Sequence, residues 1–136
     1  MSWAKLMLVV GGSLALMGAQ PVSPLAQAQS GLWEIDGLPG AKTPIKQCLA
    51  DVASLAQFEH RGKACKAKVV STTGSSTVIE YQCAPAVGFG RSQIDVITPR
   101  SLRIETQGIS EQLPFRYVLQ ARRVGDCPQQ VTASRH

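Results

Sequence analysis

The stretch Cys65-Lys66-Ala67-Lys68-Val69-Val70-Ser71-Thr72-Thr73-Gly74-Ser75-Ser76-Thr77-Val78-Ile79-Glu80-Tyr81-Gln82-Cys83 is nearly symmetric about Gly74. In its first half Cys65, Ala67 and Val69 alternate with lysines; in its second half Ile79, Tyr81 and Cys83 alternate with Glu80 and Gln82. Such alternation sends every second side chain to one face of a strand. Folded as an antiparallel hairpin about the Ser/Thr/Gly turn, the halves set Cys65 opposite Cys83, Ala67 opposite Tyr81 and Val69 opposite Ile79, all on one face.

Cysteine usage extends this reading. The four cysteines are Cys48, Cys65, Cys83 and Cys127, and an even count in an exported chain reads as a disulfide framework. The hairpin favours Cys65 with Cys83 and hence Cys48 with Cys127; the alternative is Cys48 with Cys65 and Cys83 with Cys127. In the chain-entropy account a loop of ~18 residues contributes about 3 kcal/mol and one of ~80 about 4.5. A zinc site is disfavoured, because no C-x-x-C knuckle occurs and the histidines are His60 and His136. The same absence argues against a thioredoxin-like redox role.

Outward from the hairpin the chain continues in short alternating segments. Gly31 to Asp36 reads as a strand with Trp33 and Ile35 inward, and Gly37, Pro39 and Gly40 end it. Ala50 to Phe58 places Val52, Leu55, Ala56 and Phe58 at helical spacing behind Asp51, a residue suited to a helix start. Ser92 to Thr98, Leu102 to Gln107 and Phe115 to Val124 read as further strands, and Gly88-Phe89-Gly90 as a turn or bulge. Charge suggests their registers. Asp95 opposite Arg103 brings Ile94 to Ile104 and Val96 to Leu102. Glu105 opposite Arg116 brings Ile104 to Tyr117 and Thr106 to Phe115, with Gly108 to Pro114 turning between. The expected fold is mainly β (α+β): a curled antiparallel meander of five to six strands, with one short helix over its apolar face and two disulfides.

The start of the chain is set apart. Met1 to Lys5 carries one positive charge and Leu6 to Met17 is an apolar run, too short for a membrane span of roughly 20 residues but suited to a secretory leader. Ala26-Gln27-Ala28 supplies small residues where a signal peptidase requires them, so cleavage is expected after Ala28, with Ala19 the second choice. Residues 1–28 are then the signal peptide and 29–136 a single disulfide-bonded domain, with no membrane span in the mature form. Loss of Lys5 leaves a net charge one unit below the +5 of the whole chain. Only Arg122-Arg123 and the group Arg61, Lys63, Lys66, Lys68 are dense in cations, which is not the basic stripe with interleaved aromatics of a nucleic-acid binder. It amounts to a weak preference for an anionic envelope surface.

Catalytic chemistry has little to start from. No G-x-S-x-G, H-E-x-x-H or phosphate-cradling loop is present. His60, in the charged run Glu59-His60-Arg61-Gly62-Lys63, reads as a solvated loop residue. Glu34, Asp36, Asp95 and Glu105 read as cross-strand ion partners rather than as a glycosidase pair, and Trp33 as core rather than a sugar platform. No catalytic, cofactor-binding or metal-binding residue is expected.

Gly31-Leu32-Trp33-Glu34, then Gln47-Cys48-Leu49, Cys65, Cys83 and the closing Arg122-Arg123-Val124-Gly125-Asp126-Cys127, resemble the exported proteobacterial proteins grouped as domain of unknown function family 3617. The resemblance spans Gly31 to Cys127 and implies a Gram-negative periplasmic setting with four structural cysteines; it implies no catalytic residue. The expected function is that of a non-enzymatic, monomeric binding or interaction module for an envelope protein or small ligand, without cofactor. The alternatives are a structural or stress-related envelope component and, behind it, a carboxylate-based hydrolase.

Overall fold

The computed structural model describes residues 11–12 and 23–128; the apolar run 6–17, apart from Gly11 and Gly12, and the terminal His136 lie outside them. Seven strands form one antiparallel sheet: β1 (Gly31–Asp36), β2 (Ile45–Leu49), β3 (Cys65–Thr73), β4 (Ser76–Cys83), β5 (Gly88–Thr98), β6 (Ser101–Ser110) and β7 (Leu113–Gly125). Their spatial order is β2-β1-β7-β6-β5-β4-β3. The five strands from β3 onward make a continuous meander, and the N-terminal pair β1–β2 extends it by pairing β1 with β7. The sheet stays open, with β2 and β3 as its edges, and is not strongly curled. Its apolar face is covered by a 3₁₀ helix, Val52–His60, packed against β4, β5 and β6, so it need not wrap on itself.

The core follows from the strand alternation. Ile79, Ile94, Val96, Leu102, Ile104, Leu119 and Ala121 point to one face, where they meet Val52, Leu55, Ala56 and Phe58 of the helix and Trp33 and Ile35 of β1. Trp33 is fully buried, and its indole Nε1 donates to the Gln29 carbonyl at 3.0 Å. Val52, Leu55 and Phe58 recur every third residue, the period of a 3₁₀ rather than an α-helix. Asp51 caps the helix by accepting from the Ala53 N–H at 2.9 Å, and the helix kinks at Gln57. The Ser92 hydroxyl fastens it to the sheet, bonding the Ala56 carbonyl and Thr106 Oγ1.

The hairpin register is the expected one: Cys65 faces Cys83, Ala67 faces Tyr81 and Val69 faces Ile79, with a bulge at Val70 before the Gly74 turn. Both disulfides form, Cys65–Cys83 and Cys48–Cys127. The second has a simple origin: Leu32 of β1 lies between Cys48 of β2 and Gly125 of β7, two residues before Cys127. Asp95 faces Arg103, Ile94 faces Ile104 and Val96 faces Leu102, also as expected.

Four expectations are corrected. The strands number seven rather than five to six, because Ile45–Leu49 forms one more, in a hairpin onto β1 that the Gly/Pro-rich segment before it conceals. Gly88-Phe89-Gly90 is the first part of β5 and not a turn. The sheet lacks the expected curl. The β6–β7 register is displaced by two residues, so that Glu105 faces Val118, Ile104 faces Leu119 and Thr106 faces Tyr117. Strands β6 and β7 run straight through Gly108 and Pro114 to a two-residue turn at Glu111 and Gln112, whose φ values are +49° and +70°. Non-glycine residues seldom adopt that region, so nothing local advertised the turn. Arg116 faces Gln107 but still reaches Glu105 diagonally, at 3.1 Å.

Candidate functional site

Two features converge on the end of the sheet that carries Cys65–Cys83. On the core face, one cross-strand row runs Ala67, Tyr81, Gly90, Gly108, Phe115. The two glycines leave room for aromatic rings to lie flat across the strands: a Cβ at Gly90 would overlap the Tyr81 ring, and one at Gly108 the backbone of Phe89 and Gly90. His60, at the end of the helix, fits edge-on between Tyr81 and Phe115, with ring centroids 5.3 and 5.8 Å away.

His60 is therefore not the solvated loop residue expected. It is 3% exposed. The Tyr81 hydroxyl meets its Nδ1 at 2.8 Å and its Nε2 meets the Val87 carbonyl at 3.1 Å. The charged neighbours that suggested a loop also have partners. Tyr117 donates to Glu59 at 2.7 Å, while Arg61 donates to the Phe58 carbonyl and stacks its guanidinium over the Phe58 ring. Burial pushes the Tyr81 phenol well above its usual range, with Glu59 adding to the shift. Tyr117 is raised as well, by burial first and then by its hydrogen bond to Glu59. Both tyrosines are thus held as neutral phenols, and the cluster is a packed, hydrogen-bonded plug.

Directly behind that row, on the outer face, lies a groove of about 1010 Å³. Its side chains come from two neighbouring rows: Lys66, Gln82, Phe89, Ile109, Pro114, and Lys68, Glu80, Arg91, Gln107, Arg116. Phe89 is 52% exposed on the outer face, beside Ile109 and Pro114 of the same row. A ring on the solvent phase of a strand, where burial cannot explain it, is the kind of feature that marks a contact surface. Sequence reasoning missed it because Gly88-Phe89-Gly90 reads as a turn. The signal available was Phe89 and Ile109 falling out of phase with the inward residues of β5 and β6.

The acidic residues are distributed as ion partners. Glu34 meets Arg122 at 3.5 Å, Asp95 meets Arg103 at 3.7 Å, and Glu105 lies between Arg103 and Arg116 at 3.4 and 3.1 Å. Asp36 accepts from the Gly37 N–H instead. The Arg116 hydrogen bond, with Arg103 behind it, holds the Glu105 carboxyl below its ordinary range. Among the described residues no group of three or more His, Cys, Asp or Glu side chains could hold a metal ion, and no helix is long and apolar enough to cross a membrane.

The family described as "Protein of unknown function (DUF3617)" matches residues 28–127. This chain belongs to that family. No curated protein and no solved structure matches it. The DUF3617 match takes in all seven strands, both disulfides, the His60 cluster and the groove. Paired cysteines of this kind suggest that this DUF3617 protein works outside the cytoplasm.

Proposed function

We propose that this DUF3617 protein is exported to the periplasm, loses its leader after Ala28, and acts there as a monomeric, non-enzymatic binding module through the groove on the outer face of β3–β7. The observation that carries this reading is the groove itself, of a volume suited to a small ligand, with an aromatic ring exposed in it and backed by the row that holds the buried Tyr81 and His60. A binding surface built on a stiff sheet loses little conformational freedom when occupied. Export is supported by two disulfides and by the apolar run of Leu6 to Met17. The family match begins at residue 28, where the expected leader ends. The buried tyrosines and the ion-paired carboxylates near the groove have structural partners that need no catalytic role.

The test is site-specific photo-crosslinking in the exported protein. A photoreactive residue replacing Phe89 should yield a discrete adduct identified by mass spectrometry. The same residue at Gln120, elsewhere on the outer face, should not. Equal labelling at both positions, or none at Phe89, would remove the groove from consideration and favour a purely structural envelope role.

A further inference from the structure

The two rows that line the groove differ in charge compensation. In the row Lys68, Glu80, Arg91, Gln107, Arg116, the guanidinium of Arg91 is paired with Glu80 at 3.0 Å and that of Arg116 with Glu105 at 3.1 Å. Lys66 and Lys68, on the edge strand β3, have no ion-pair partner among the described residues. In the other row Phe89, Ile109 and Pro114 lie side by side on β5, β6 and β7. Lys68 faces Glu80 across the strands, but that carboxylate is held by Arg91, so the β3 end of the groove carries a cationic excess, and the row Phe89, Ile109, Pro114 is apolar. Lys66 and Pro114 are four inter-strand steps apart, about 19 Å at the usual strand spacing.

That polarity selects among ligands. A nucleic acid would need cations along its whole path, and an acidic peptide would leave the Phe89–Ile109–Pro114 stripe facing charge. A flat bilayer cannot follow a concave surface. A single molecule with an anionic head and a long apolar body satisfies both ends. We propose that the groove binds a monomeric long-chain carboxylate, its head between the ammonium groups of Lys66 and Lys68 and its chain laid across Phe89, Ile109 and Pro114. This inference rests on the reading of the groove as the binding surface and adds the chemical class of its occupant.

Titration calorimetry on the oxidised mature protein tests it, with dodecanoate below its micellar concentration as the probe. Dodecanoate should bind saturably at one site, while butyrate and dodecyltrimethylammonium, which keep only the head or only the chain, should bind far more weakly. The exposed-face variant Lys66→Glu/Lys68→Glu should weaken dodecanoate binding about tenfold or more, in line with loss of a charge-assisted contact. Phe89→Ala should weaken it with the lysines intact. Unchanged circular dichroism and melting would show both variants folded. Equal affinity for dodecanoate and the cationic amphiphile, or no effect of charge reversal, would overturn the proposal, as would sedimentation with phosphatidylglycerol vesicles without dodecanoate binding. Absence of dodecanoate binding together with a specific crosslink at Phe89 would overturn the carboxylate alone and leave the groove as a binding surface. Absence of both would remove both.

Discussion

His60 is held by two hydrogen bonds of opposite sense. A carbonyl only accepts, so Nε2 carries the proton toward Val87, and the Tyr81 hydroxyl donates to Nδ1. Removing the ring strands both partners in a buried site and opens a void between Tyr81 and Phe115. His60→Ala is therefore expected to cost about 3 kcal/mol in urea unfolding. The tyrosines give an independent measurement. Tyr81 and Tyr117 are the two tyrosines of the chain, and both have phenol pKa values raised in the folded state. The folded state thus favours the neutral phenol. Its contribution to stability is complete below the unfolded value of about 10 and is lost as pH rises toward the folded values. Alkaline titration followed by ultraviolet absorbance should show phenolate appearing together with unfolding; phenolate appearing before the loss of structure would contradict the burial described.

At the scale of the element, the β6–β7 hairpin carries a local conflict. Its turn places Glu111 and Gln112 in the left-handed region, which disfavours side chains with a Cβ by roughly 1 to 2 kcal/mol per residue. Asn-Gly is the natural pair for a two-residue hairpin of this kind. Glu111→Asn/Gln112→Gly should stabilise the protein by about 1 kcal/mol, part of the relief being offset by the freer unfolded chain. A shift of the urea midpoint to higher concentration with unchanged slope would verify it. The edge strand β3 is protected differently. Lys66 and Lys68 and the bulge at Val70 discourage another strand from adding to it.

At the scale of the molecule, the disulfides act on very different loops. Cys48–Cys127 spans 79 residues and Cys65–Cys83 spans 18. In the chain-entropy account, Cys48→Ala/Cys127→Ala should cost about 4.5 kcal/mol and Cys65→Ala/Cys83→Ala about 3, measured by urea denaturation of the oxidised variants. The second pair closes a hairpin already aligned by its own alternation, whereas the first ties β2 to the end of the last strand. The proposed leader has its own test. The 3₁₀ turn Pro24–Gln27 buries Pro24 and lays Leu25 against the core, yet the fully buried core side chains all come from Trp33 onward. The intact mass of exported protein should correspond to a chain beginning at Gln29; a chain beginning at Gln20 would mean that this turn belongs to the mature fold.

What was legible in the sequence was what depends on neighbours along one or two strands. The Cys65–Cys83 hairpin, its register, the Asp95–Arg103 pairing and the burial of Trp33 and Ile35 follow from alternation, charge and cysteine spacing, and the family was legible as a resemblance in Gly31-Leu32-Trp33, Cys48-Leu49 and Gly125-Asp126-Cys127. The tertiary structure decided what depends on several strands at once. His60 is buried because two glycines on different strands make room for the rings that enclose it, and no local pattern around His60 records those glycines. The β6–β7 register was settled by two non-glycine residues accepting a strained turn, so that Leu119 rather than Tyr117 meets Ile104 in the core. The groove arises in the same way: Lys66, Phe89, Ile109 and Pro114 are scattered along the chain and become one surface only when four pairings bring them into a row.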